Sequence, residues 1–253
     1  MGNDLDRLLE PTEFLDHQSP VVAKFVETAL PDGPGALTDI ERAVALYYAV
    51  RDGIRYEVYG ADLSRTGLRA SSIIEQGFGF CVHKSIVYAA AVRSVGIPSR
   101  IVYGDVRNHL ASERLRQLVG GDIFRFHSWT SVHLDGQWLK ATPVFNKLLC
   151  RLYRIRPLEF DGRSDSVYHP FDEAGRRHME FLQLRGEFDD VPYDTVVGGI
   201  REAHPRLFDG SHTTAAGSLA NEADAAPTAD ATAEPAADPT ADHTTGGSHR
   251  GQG

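Results

Sequence analysis

The sequence has little of what would point to a secreted, membrane-bound or metal-built protein. It holds only two cysteines, Cys81 and Cys150. Two thiols cannot build a disulfide framework, and no CxxC or paired Cys/His spacing suggests a zinc site. No apolar run approaches the roughly 20 residues needed to span a bilayer. Positive charge is also scarce: 26 Lys and Arg stand against 35 Asp and Glu, for a formal net charge of -9. A chain without a basic stripe offers no electrostatic footprint for nucleic acid or anionic lipid. The N-terminus, MGNDLDRLLEP, has acids where a secretory signal needs basic residues, and Asp6 stands where a myristoylation motif needs Ser or Thr. These absences predict a soluble cytoplasmic protein with no nucleic-acid or membrane partner.

What is present is ordinary globular composition. With 253 residues, 42% of them hydrophobic and 24% charged, the chain can bury a full core. The charge is unevenly spread, because residues 211–253 carry six acids, Glu222 to Asp242, against Arg250 alone. The run PTADATAEPAADPTAD (227–242) is almost free of large apolar side chains and buries too little to offset the entropy of ordering. The expected organisation is one domain over residues 1–209, then a disordered Ala/Thr/Asp-rich acidic tail over 210–253 that folding does not need.

The folded part shows helix signals first. PVVAKFVETAL (20–30) is a short amphipathic pattern ended by Pro31. TDIERAVALYYAVRDG has Thr38 and Glu41 in capping-box spacing and Gly53 at its close. IRYEVY (54–59) alternates like a strand, and SSIIEQG (71–77) reads as a short helix ended by Gly77. From Cys81 to Val95 almost no polar face remains, which predicts a helix packed on most sides. Gly96 and Pro98 stop it, and SRIVYGDV (99–106) reads as a strand. A helix over 111–119 follows. HSWTSVHL and QWLKATPV are strand-like runs joined by Asp135-Gly136, a dipeptide favoured in tight hairpins. Short helices are expected near 146–153 and over 174–185.

The chemistry concentrates in GFGFCVHKSIV (77–87). A cysteine at the first turn of a helix meets unpaired N–H groups and partial positive charge, which favour thiolate. His83, two positions along, projects to another side and cannot serve Cys81. Lys84, at i+3, shares the cysteine's face and is a candidate to add positive charge. Of His109, His127 and His133, His127 stands at a strand entrance where a side chain reaches a cleft. His127, Trp129, Ser131 and His133 share one face by the period of two, the face expected to meet the cysteine helix. His127 is therefore the candidate base. A metal site from Asp105, His109, His127 and His133 has no supporting spacing, and Cys150 in LLCRLY reads as a core residue.

Taken together, GFGFCVHKSIVYAAAVRSVGIPSRIVYGDV, then HSW, then WLKATP (138–143) resemble the transglutaminase-like superfamily. The motif core runs from about residue 70 to 143, and the longer run to about Val196 resembles uncharacterised bacterial members of that group. The resemblance implies an α+β, papain-like fold, with a central cysteine-bearing helix packed on an antiparallel sheet. It also implies Cys81 as nucleophile, His127 as base and Arg100 as part of a structural GIPSR element. One departure concerns the orienting acid: the superfamily places an aspartate before the proline, where this chain has Thr142. Thr142, Asn146 and Asp105 remain as alternative orienters of the imidazole, and none is singled out by the sequence. Lys84 and Trp129 are expected to support the site.

The function expected is a cysteine amide or peptide hydrolase, or an acyl transferase, acting through a Cys81 thioester with no cofactor or metal. Its substrate would be a small-molecule or peptide acyl group. Two alternatives stand beside it: an acyltransferase or cyclase using a thioester donor and an amine or carbon nucleophile, and a degenerate binding or scaffold module.

Overall fold

The computed structural model describes residues 2–109, 111–167, 175–176 and 178–208. Its helices begin with α1 (Gly2–Arg7), α2 (Pro20–Ala29) and α3 (Asp39–Gly53). The capping box of α3 forms as its sequence requires: Thr38 Oγ1 accepts from the Glu41 N–H, and the Glu41 carboxylate accepts from the Thr38 N–H. The strand expected over 54–59 contracts to β1 (Arg55–Tyr56), because the buried Glu57 carboxylate accepts from the N–H groups of Val58 and Tyr59 and turns the chain. Helix α4 (Ala70–Gln76) ends at Gly77 with φ of 72°, a left-handed closure that suits glycine. A short strand β2 (Phe78–Gly79) pairs parallel with β1 and leads directly into α5 (Cys81–Ser94).

Helix α5 is the hub of the core: every residue from Cys81 to Arg93 is buried. Its two basic side chains act as internal pins. Arg93 donates to the carbonyls of Glu10, Ser99 and Asp189. Lys84 Nζ donates to the carbonyls of Arg51 (2.8 Å) and Ile54 (2.5 Å), closing the C-terminal end of α3. Burial pushes the Lys84 ammonium down to about 7, with Asp52 partly opposing. Between about pH 7 and the ordinary lysine value the unfolded chain then binds more protons than the folded one, so stability rises with pH across that window. In Lys84→Met this rise is expected to flatten by up to about 2 kcal/mol between pH 7 and 9. Urea unfolding at both pH values measures it, and an unchanged slope would refute the assignment.

Past α5 the chain builds one antiparallel sheet in the order β5-β4-β3-β6. Its members are β3 (Ser99–Asn108), β4 (Ile123–Leu134), β5 (Gln137–Ala141) and β6 (Met179–Phe188), with α6 (Glu113–Val119) between β3 and β4 and α7 (Lys147–Tyr153) after β5. Helix α8 (Tyr193–Ala203) follows and is not foreseen from the sequence. The Asp135-Gly136 hairpin forms with both residues at positive φ, 47° and 78°. The helix expected over 174–185 is corrected. Residues 168–174 and 177 lie outside the described residues, and Met179–Phe188 is a strand paired with β3. The open edge of β3 demands donors and acceptors, and this tertiary need overrides local preference. The acidic tail expected over 210–253 also lies outside the described residues. Among the described residues, no helix is long and apolar enough to cross a membrane.

Candidate active site

Cys81 reaches its position through the glycines before it. A Cβ on Gly79 would stand 2.5 Å from His83 Cβ, so only glycine lets the chain pass this close to the helix it is about to enter. Three backbone N–H groups, of Ser128, Val82 and Cys81 itself, favour the thiolate against burial. Those of Val82 and Cys81 are the helix-start donors expected from the sequence. That of Ser128 comes from β4 and has a structural cause: β5 stops at Ala141, and with Thr130 opposite Ala141 the continuing position opposite Ser128 is Pro143. Beyond β5 the edge of β4 is open at Ser128.

His127 follows the same logic but corrects two expectations. Strand β4 begins at Ile123, so His127 lies inside the strand and not at its entrance. The face that β4 presents to α5 is the even one, since Thr130 Oγ1 donates to the Ser85 carbonyl. His127 and Trp129 stand on the other face, with ring centroids 6.1 Å apart. The cysteine does not look down on His127 across a face. It meets β4 at its open edge, beside the peptide that joins His127 to Ser128. A register slip between Gly104 and Val106 and the positive φ of Phe126, 57°, mark a bulge at this point.

Burial dominates the electrostatics. Cys81 and His127 are 7% and 8% exposed. Burial pushes the thiol up to about 11, the three N–H groups opposing it only in part, and pushes the His127 imidazolium down to about 4. Burial thus opposes both the thiolate that the helix start favours and the imidazolium, because each charged form loses more solvation than its surroundings return. Alkylation of Cys81 by iodoacetamide, resolved by peptide mass spectrometry, should rise about tenfold per pH unit toward pH 11. A plateau between pH 6 and 8 would instead show a preformed ion pair. Cys150, pushed up to about 12 mainly by burial, should react more slowly still.

The remaining candidates separate cleanly. Thr142 is 2% exposed, its Oγ1 has no hydrogen-bond partner, and it lines a small cavity together with His127 and His178. Asn146 is turned away, its Oδ1 accepting from the Tyr56 N–H at 3.3 Å. Asp105 is fully buried and committed elsewhere: it accepts from Arg125, Arg185 and the Phe126 N–H. Lys84 is corrected as a site residue, since its ammonium is drawn to the carbonyls of Arg51 and Ile54 at the C-terminal end of α3, whose buried oxygens need a donor. Trp129 packs behind His127 against Phe181. Arg100 lies over Trp138 with its guanidinium 4.6 Å from the ring centroid, a structural contact. His178 was not singled out by the sequence, where it sits in a polar stretch without periodicity.

Cys81 and His127 border one cavity, with Phe80, Phe126, His178 and Met179 among its walls. Its cavity volume is ≈ 90 Å³, and all the empty space out into open solvent is ≈ 1000 Å³. The four ligands imagined for a metal are scattered: Asp105 holds arginines, His109 pairs with Glu180, and His133 packs on Trp138.

Residues 29–143 match the family model described as the transglutaminase-like superfamily. No functionally curated protein matches the chain. Among solved structures, one described as "a putative cysteine protease from Cytophaga hutchinsonii" is similar at 17% identity and a TM-score of 0.41, over 56% of this chain and 43% of that one. The chain thus spans under half the length of that structure. The matched stretch runs from the last residue of α2 to the proline after Thr142 and contains Cys81 and His127; over that stretch, less than half of the chain, the sequence is similar to the transglutaminase-like superfamily, and the structure there is α+β, with α5 packed on an antiparallel sheet.

Proposed function

We propose that the chain is a cysteine enzyme acting on an amide, peptide or thioester carbonyl. Cys81 Sγ attacks the carbonyl carbon. The C–S bond forms as the bond to the leaving group breaks, and the thiol proton passes through His127 to that group. Water then gives a proton to His127, attacks the thioester and frees the acid, and the proton returns to sulfur. The backbone N–H groups of Val82 and Ser128, which lower the thiol against its burial, are the proposed donors to the oxyanion. Thr142 is the proposed acceptor for the imidazole. The observation that carries this reading is that the Cys81 thiol, at the start of α5, and the His127 imidazole, on β4, border one cavity.

Two further readings have their own support. Apolar walls around Cys81 exclude water and favour acyl transfer to an amine or carbon nucleophile over hydrolysis. The uncharged Thr142 and the raised thiol favour a catalytically silent scaffold. Exposure to activated acyl esters, followed by intact mass, separates the three. A hydrolase shows an acyl increment that decays in water, and a transferase holds the increment until an amine is added. A scaffold forms none that Cys81→Ala does not also form.

A further inference from the structure

The cavity at Cys81 is built in two halves. One comes from the matched stretch: Phe80, Val106 and Phe126. The other comes from segments beyond residue 143, which the family model does not reach: Leu149 on α7, Met179 on β6 and Ile200 on α8. The second half lies outside the matched stretch and is mostly apolar, with Tyr153, His178 and His204 its polar members. No acidic side chain lines the cavity among the described residues. Its one fully ionised side chain, Arg125, is 40% exposed and tied to Asp105, which places it at the rim. His204, also in the wall, has both ring nitrogens engaged, one with the Val119 carbonyl and one with the Arg125 N–H. A carboxamide or charged side chain entering here would lose water and find few partners, whereas an apolar chain would gain by burial.

We propose that the acyl group delivered to Cys81 is apolar, a short aliphatic chain above all. This rests on the acyl-enzyme reading of Cys81. The cavity volume of ≈ 90 Å³ is less than the ~150 Å³ of an apolar cavity that accommodates benzene. A chain of a few carbons fits before a ring does, and longer chains run into the mouth.

The test is a series of p-nitrophenyl acetate, butyrate and hexanoate, with acylation at Cys81 followed by peptide mass spectrometry and Cys81→Ala as background. Sγ displaces p-nitrophenolate, and the thiol proton leaves with it or to buffer. Burial of each added methylene is expected to raise the rate about fourfold, so hexanoate should exceed acetate by at least about 50-fold. Ile200→Phe, which fills the wall, should reduce that ratio; if it fails to fold, the wild-type series decides alone. Acetate equalling or beating hexanoate at Cys81 would overturn the apolar preference and leave the acyl-enzyme reading standing. Failure of every ester to acylate Cys81 above background would overturn the reading and the preference together.

Discussion

Cys81→Ala is expected to lower turnover of any accepted acyl substrate by at least about 10³-fold, because removing the nucleophile leaves only binding and the N–H donors. His127→Ala should cost about 10²–10⁴-fold, the range of a positioned general base. The double variant should be no worse than Cys81→Ala, since the two groups act in one proton transfer. Stability should move little in comparison: truncating a small buried side chain costs on the order of 1 kcal/mol, and urea unfolding of each variant checks that the loss is chemical. A Cys81→Ala protein that turns over at the wild-type rate would remove Cys81 from the mechanism.

Asp105→Ala carries the largest expected loss of stability. The carboxylate is fully buried and accepts from Arg185 Nε (3.0 Å) and Nη2 (2.6 Å), Arg125 Nη1 (2.5 Å) and the Phe126 N–H (3.3 Å). Removing one member of a buried ion pair costs about 3–5 kcal/mol. Here Arg125 and Arg185 are 40% and 32% exposed and can rehydrate, so the lower end, about 3 kcal/mol, applies. For a domain of this size that is a fall in Tm of about 6–12 °C. Asp105→Asn, which keeps one acceptor, should lose less. The pH dependence has a defined sign. Burial alone would raise the Asp105 carboxyl, but the Arg185 and Arg125 hydrogen bonds outweigh it and hold it below the ordinary value. Its contribution is present above the unfolded carboxylate range and is lost as pH falls through the lower folded value. Thermal melts between pH 3 and 7 should therefore show a shallower acid limb in Asp105→Ala. Because Asp105 holds the N–H of Phe126, next to His127, turnover should fall as well. Full stability in Asp105→Ala would refute this account.

The parts of the fold legible in the sequence are those decided within a few residues. Thr38 and Glu41 cap α3, Gly77 closes α4, Asp135-Gly136 turns β4 into β5, and the unbroken apolar run after Cys81 forms the buried α5. Each rests on a backbone conformation or a hydrogen bond between near neighbours. Cys81 at a helix start and His127 on a strand were legible for the same reason.

Tertiary structure decided what depends on distant partners. Residues 179–188 became a strand because β3 had an edge to fill. Lys84 left the cysteine's neighbourhood because the carbonyls of Arg51 and Ile54 needed its ammonium. The face of β4 turned to α5 was set by Thr130 reaching Ser85, which period-two alternation cannot choose. Most consequential is the protonation of the site. A helix start favours thiolate by local geometry, but desolvation sums over every segment that covers the thiol, including α7, β6 and α8. The sequence by itself determined that Cys81 opens a buried helix and that His127 stands on a strand. Only the packing of remote segments decided their charge, their partners and the apolar chamber in front of them, because burial belongs to the whole fold and not to any stretch of the chain.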